Sequence, residues 1–154
     1  MTNNTYWDDF EVGRVEWGTE VVADKDELLD YARKYDPWPF HVDEEAAVQT
    51  PFGGLIASGG YTISLYYLSG RGVWNLEDRP WAFLGGFDWK LKFLLPVRPG
   101  DRLRLKWTLL EKRPSSKPGR GHWLGLSEFT NQDDKVSMSI EAMVLMETRP
   151  EPPS

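Results

Sequence analysis

Between Ile56 and Ser69 the chain carries no charged residue, and the run includes Tyr61, Ile63, Leu65, Tyr66, Tyr67 and Leu68. A helix with no polar face has to be buried on all sides. This one is too short to cross a membrane, so the rest of the chain must wrap it. Ala57, Gly60 and Ser64 recur at helical spacing and allow another backbone to come close. A glycine inside a helix costs about 1 kcal/mol relative to alanine. Gly59 and Gly60 therefore belong in the first turn, where free N–H groups point outward and attract partial negative charge. Glycines that merely permit tight packing are an equally good explanation.

Beyond the helix the chain reads as strands. Phe87, Trp89, Leu91 and Phe93 alternate with Asp88, Lys90 and Lys92. Leu103, Leu105, Trp107 and Leu109 alternate with Arg102, Arg104, Lys106 and Thr108, and Val136 to Val144 repeats the pattern. His122 to Phe129 and Trp81 to Leu84 are weaker candidates. Pro99-Gly100-Asp101 and Lys117 to Gly121 read as turns. One apolar helix and a run of half-polar antiparallel strands have a simple solution, a sheet curled round the helix. The expected fold class is therefore α+β, a single hotdog fold over residues 1–148, followed by a disordered Pro-rich tail at 149–154.

Upstream, Tyr6 to Gly13 is an irregular lead-in, and Val15 to Val21 alternates as a first strand. Asp24 and Glu27 have capping-box spacing and open a helix to Tyr35, with Leu28, Ala32 and Tyr35 on one face. Pro37 stops it. Then comes Asp36-Pro37-Trp38-Pro39-Phe40-His41. Each proline pushes the residue before it out of the helical region, so this segment is expected to be extended and stiff. It holds a carboxylate and an imidazole at a set separation, as acid–base chemistry requires. The plainer alternative is a turn-capping Asp36 and a structural His41. Asp43 is expected to cap a short helix whose first turn carries Glu44 and Glu45. That cap explains the acids better than a metal site does, and no metal is expected.

The net charge of −6 and pI near 5.0 argue against a nucleic-acid partner. With no cysteine there is no disulfide and no thiolate nucleophile. Met1 to Phe10 has neither the basic nor the apolar region of a signal peptide, and no apolar run reaches membrane-spanning length, so a cytoplasmic protein without a membrane partner is expected. The eight tryptophans suggest a large apolar pocket, an interface or a tryptophan-rich core.

These residues resemble the MaoC-like dehydratase family, which includes the R-specific enoyl-CoA hydratases. The resemblance rests on Asp36 to His41, on Asp43 to Val48, and on Phe52-Gly53-Gly54-Leu55-Ile56-Ala57-Ser58-Gly59. Tyr6 to Gly13 and Leu95 to Asp101 also resemble family segments. Trp38 stands where the family often has Asn and Ser58 where it often has His, and a family hydroxyl position falls on Tyr67. The resemblance implies reversible hydration of an enoyl thioester, with Asp36 and His41 as the catalytic pair and the Gly59 N–H as the oxyanion hole. Trp38, Phe40, Ser58 and Gly60 would contact substrate. Coenzyme A or an acyl carrier would enter only as part of that substrate, with no separate cofactor. It also implies a homodimer. A hotdog thioesterase and a non-catalytic acyl-binding or heteromer subunit are the alternatives. Trp81 and Trp89 hint at the apolar pocket. Lys112, Arg113, Lys117 and Arg120 would meet coenzyme A phosphates or form a solvated hairpin tip.

Overall fold

The structure, a computed structural model, describes residues 3–154. Met1 and Thr2, at the start of the expected domain, lie outside the described residues. A 3-10 turn at Trp7–Asp9 precedes β1 (Val15–Trp17), β2 (Val21–Val22), α1 (Lys25–Tyr35), α2 (Pro39–Val42), α3 (Glu44–Val48) and α4 (Gly59–Trp74). Four long strands complete the chain: β3 (Phe83–Phe93), β4 (Arg102–Pro114), β5 (Arg120–Thr130) and β6 (Val136–Glu147). The antiparallel sheet runs β1-β4-β5-β6-β3, and β2 also pairs with β4. It curls round α4, which is the hotdog arrangement.

Period-two alternation sets the core. Leu103, Leu105, Trp107 and Leu109 of β4, Trp123 and Phe129 of β5, and Met138, Ile140, Val144 and Met146 of β6 all point inward. They meet Tyr61, Leu65, Tyr66 and Val73 of α4. The opposite residues of these strands are more exposed, as a one-sided sheet requires.

Four local expectations change. The first strand breaks in two because Thr19 leaves the ladder: its N–H bonds Ser69 O at 3.2 Å and its carbonyl accepts from Ser69 Oγ at 2.6 Å. Val15 and Trp17 are consequently exposed. The capping box is half made: Asp24 accepts from the Glu27 N–H at 3.0 Å, but the Glu27 carboxylate instead receives the Tyr61 hydroxyl at 3.4 Å, which ties α1 to α4. Tyr35 turns outward while Leu28 and Ala32 are buried. Last, α4 begins at Gly59, as the glycines require, but is not buried all round. Its Ser64, Tyr67 and Leu68 face outward, because the sheet of one chain does not reach that side.

Ser69 shows how the helix is held. Its Oγ donates to Thr19 O at 2.6 Å and accepts from the Leu105 N–H at 3.0 Å, and the residue is fully buried. Alanine there would leave the Leu105 N–H without this partner. Ser69→Ala is expected to cost about 1–3 kcal/mol, seen as a lower denaturant midpoint at unchanged slope. At the other end of the chain, the Arg149 N–H bonds Asp8 at 2.6 Å and its guanidinium pairs with Asp9. Residues 150–154 form no regular element. Among the described residues, no helix is long and apolar enough to cross a membrane.

Candidate active site

Helix α1 ends at Asp36, whose φ of −156° and ψ of 64° leave the helical region, as a residue before proline must. Trp38 is extended for the same reason. The stiff segment stops there. Pro39 opens α2 at its first position, where a missing N–H costs nothing and the fixed φ suits a helix. His41 therefore stands on a helical turn rather than on the extended, stiff loop expected of it.

The imidazole of His41 is buried, and its Nδ1 lies 2.7 Å from Ile56 O. A carbonyl oxygen only accepts, so Nδ1 carries the hydrogen. In the neutral ring, Nε2 is then a bare acceptor. It faces Asp36 Oδ2 at 3.4 Å. The same Oδ2 accepts from Ser58 Oγ at 2.8 Å. The carboxylate of Asp36 is about one-third exposed, so the pair opens to solvent on that side.

Ser58 is the residue before α4, a position where serine commonly caps the helix. Here it makes no cap bond, because its hydroxyl is committed to Asp36. The helical ladder starts with the Thr62 N–H on Ser58 O at 3.1 Å. The N–H groups of Gly59, Gly60 and Tyr61 precede it and have no intrahelical acceptor. The glycines also have a packing reason. A Cβ at Gly59 would lie 2.6 Å from the Phe93 ring, and one at Gly60 would collide with the Tyr31 hydroxyl.

Asp36, His41, Ser58 and Gly59 thus come together from three segments. Phe40 lies edge-on to His41 at 4.5 Å, with Phe52 5.5 Å from Phe40. Trp38 is exposed and parallel to Phe40 at 6.2 Å, on the rim. Phe93 and Tyr31 were not legible as neighbours of this site. Both sit in ordinary amphipathic patterns, and only the crossing of β3 and α1 over the start of α4 brings them here. Tyr67, Trp81 and Trp89 lie elsewhere, on the walls of a cavity of about 760 Å³ farther along α4.

Other candidates disperse. Lys112 donates to Phe10 O at 2.7 Å and covers the Trp7 ring, while Arg113 pairs with Glu111 at 2.6 Å. That commits half of the basic cluster to the fold and favours the solvated hairpin. Asp43 caps α3 through the Ala46 N–H at 3.1 Å, and Glu44 pairs with Lys25. Those contacts account for Asp43 and Glu44.

Comparison with known proteins decides the relationship. The sequence matches the MaoC like domain family over residues 13–122. The chain belongs to the MaoC-like domain family. An uncharacterized Bacillus subtilis protein, YdeM, is 31% identical over 132 residues, spanning 84% of this chain and 90% of that one. The 3-hydroxybutyryl-CoA dehydratase of Methylorubrum extorquens is 29% identical over 145 residues, 90% of this chain and 82% of that enzyme. The crystal structure of a MaoC-like dehydratase from Rhodospirillum rubrum superposes with a TM-score of 0.85 at 30% identity, covering 96% of this chain and all of that one. The hotdog fold and the family placement therefore agree with the sequence reading. In this MaoC-like chain the described site lies within the matched span.

Proposed function

We propose that this protein adds water across the 2,3 double bond of an enoyl thioester, and removes it in reverse. The carrying observation is the approach of His41 Nε2 to Asp36 Oδ2 at 3.4 Å, with Nδ1 committed to Ile56 O. With the ring neutral both atoms are acceptors, and one water molecule supplies two hydrogens to them. The Nδ1–H bond to Ile56 O fixes the tautomer that leaves Nε2 basic. The Ser58 hydroxyl holds the carboxylate in place.

In hydration, the pair takes one proton from water as its oxygen bonds the β-carbon. The electrons of the double bond move toward the thioester carbonyl, and the α-carbon then receives a proton from the pair. The β-carbon is electrophilic only while that carbonyl oxygen is stabilised. The Gly59 N–H, at the head of a 16-residue helix whose serine does not cap it, is suited to do so. One such donor is typically worth about 3 kcal/mol. Trp38 and Phe40 would line the approach, with Ser58 and Gly60 at the reacting end. Coenzyme A or a carrier enters as part of the substrate, and the reaction needs no further cofactor.

A hotdog thioesterase usually carries its acid on the central helix, and the absence of one from α4 counts against that reading. Incubation with crotonyl-CoA tests the assignment. Loss of enoyl absorbance without free thiol is the expected result. Free thiol would mark a thioesterase, and no change across a panel of enoyl thioesters would mark a non-catalytic acyl-binding subunit.

The assembly proposed is a homodimer. Edge strand β3 exposes Phe83, Leu84, Phe87 and Phe93, and α4 exposes Tyr67 and Leu68 beside it. A long apolar edge of this kind pairs or aggregates unless covered. Light scattering at micromolar concentration is expected to give twice the mass of the 17.8 kDa chain. A monomer mass would overturn the proposal.

A further inference from the structure

The cavity along α4 is not used by the catalytic group. It measures about 760 Å³ and is walled by Tyr66, Trp81, Trp89, Trp107 and Trp123, with Ser127 and Ala142 also on its surface. Trp81 and Trp123 cross at 88°, and Tyr66 and Trp89 at 90°, so ring edges and faces alternate round it. That is the surface a planar ring packs against best. A cavity of about 150 Å³ already admits a benzene. This one is several times larger, and its mouth opens beside exposed Tyr67, Leu68 and Phe83, where the proposed partner subunit would cover it.

One polar feature interrupts the aromatic wall. Tyr66 and Ser127, both buried, share a hydrogen bond of 3.3 Å between their hydroxyls. Two hydroxyls carry two hydrogens and that bond uses one. The other is available to an oxygen of a bound molecule. Burial pushes the Tyr66 hydroxyl up to about 12, so it stays protonated at neutral pH.

The cavity is aligned with the candidate active site. Strand β3 runs back along α4, with Phe93 against Gly59 and Trp89 6.1 Å from Tyr66. From Gly59 to Tyr66 the helix rises about 10 Å. An extended chain advances about 1.2 Å per bond, so roughly eight bonds separate a thioester at Gly59 from the cavity. We propose that the cavity receives the far end of the acyl group, and that the preferred substrates are enoyl thioesters bearing an oxygen-substituted ring at that distance. This rests on the hydratase reading of Asp36, His41 and Gly59. A four-carbon acyl group would end before the cavity.

The test separates binding from turnover by using saturated thioesters, which have no double bond to hydrate. Quenching of tryptophan fluorescence is measured with butyryl-CoA, ω-phenyloctanoyl-CoA and ω-(hydroxyphenyl)octanoyl-CoA. The hydroxyphenyl compound is expected to bind about tenfold or more tighter than butyryl-CoA. Ala142→Phe places a ring inside the cavity and is expected to remove that difference. Tyr66→Phe combined with Ser127→Ala removes both hydroxyls while keeping the ring of residue 66, so it serves if the first variant does not fold, and it is expected to erase the preference for hydroxyphenyl over phenyl. Equal binding of butyryl-CoA and the ring-bearing compounds overturns the proposal. So does a ring preference over butyryl-CoA that survives a folded Ala142→Phe, or a hydroxyphenyl preference that survives removal of the hydroxyls. Turnover of crotonyl-CoA in the same preparations reports on the hydratase reading separately: a protein that binds the rings but hydrates nothing keeps the cavity and loses the chemistry.

Discussion

Asp36→Asn and His41→Ala are each expected to lower enoyl-thioester turnover by about 100-fold or more, the range for a positioned acid or base. Hydration takes one proton from water and delivers one to carbon, and each variant removes one of the two basic groups set 3.4 Å apart, because an amide oxygen accepts a hydrogen bond but does not take a proton. The double variant should be little worse than the poorer single one, because the two groups act on the same water. The variants differ in stability. An amide at position 36 can still accept the Ser58 hydroxyl, so Asp36→Asn should fold like the parent. His41 is buried and bonded to Ile56 O, so His41→Ala leaves that carbonyl without this donor and is expected to cost about 1–3 kcal/mol. Turnover is therefore compared at equal folded fraction, read by circular dichroism. Asp43→Asn is the control. Its carboxylate caps α3, so turnover should stay near the parent's. If a folded preparation keeps its rate with both Asp36 and His41 replaced, these residues do not carry the reaction.

The parts of this site that were legible in the sequence are those set by local backbone chemistry. Pro37 after α1 and the Asp43 cap place Asp36 and His41 on a short connection, and both caps and helix limits agree with that placement. The glycines place the start of α4 for the same reason. What was illegible depends on crossings between distant segments. Ser58 looks like an N-cap, and only the approach of the 36–41 segment turns its hydroxyl to Asp36. Phe93 is one aromatic residue in an alternating strand until β3 lies across Gly59. The alternation of β3 suggested a covered face, yet Phe87 and Phe93 are exposed. Period two reports that a face is apolar, but not whether the same chain covers it.

Phe10→Ala is expected to cost about 3–5 kcal/mol, the range for emptying a large buried aromatic site. Phe10 lies in the lead-in, outside any regular element, and nothing periodic marks it as core. Yet it is 1% exposed. Its ring stands edge-on to Trp81 at 4.9 Å and to Trp107 at 5.9 Å, and Arg14 covers it at 4.7 Å. Lys112 donates to its carbonyl, which fixes the segment against β4. Trp81 and Trp107 are also in contact with each other at 4.8 Å, so removing the Phe10 ring takes away a third member of one aromatic cluster. For a domain of this size each kcal/mol moves the melting temperature by about 2–4 °C, so a fall on the order of 10 °C is expected. Val12→Ala, two positions on and 60% exposed, should change stability by no more than about 0.5 kcal/mol. Equal, small shifts for both variants would mean that the lead-in is not part of the core and that the tryptophan cluster stands without it.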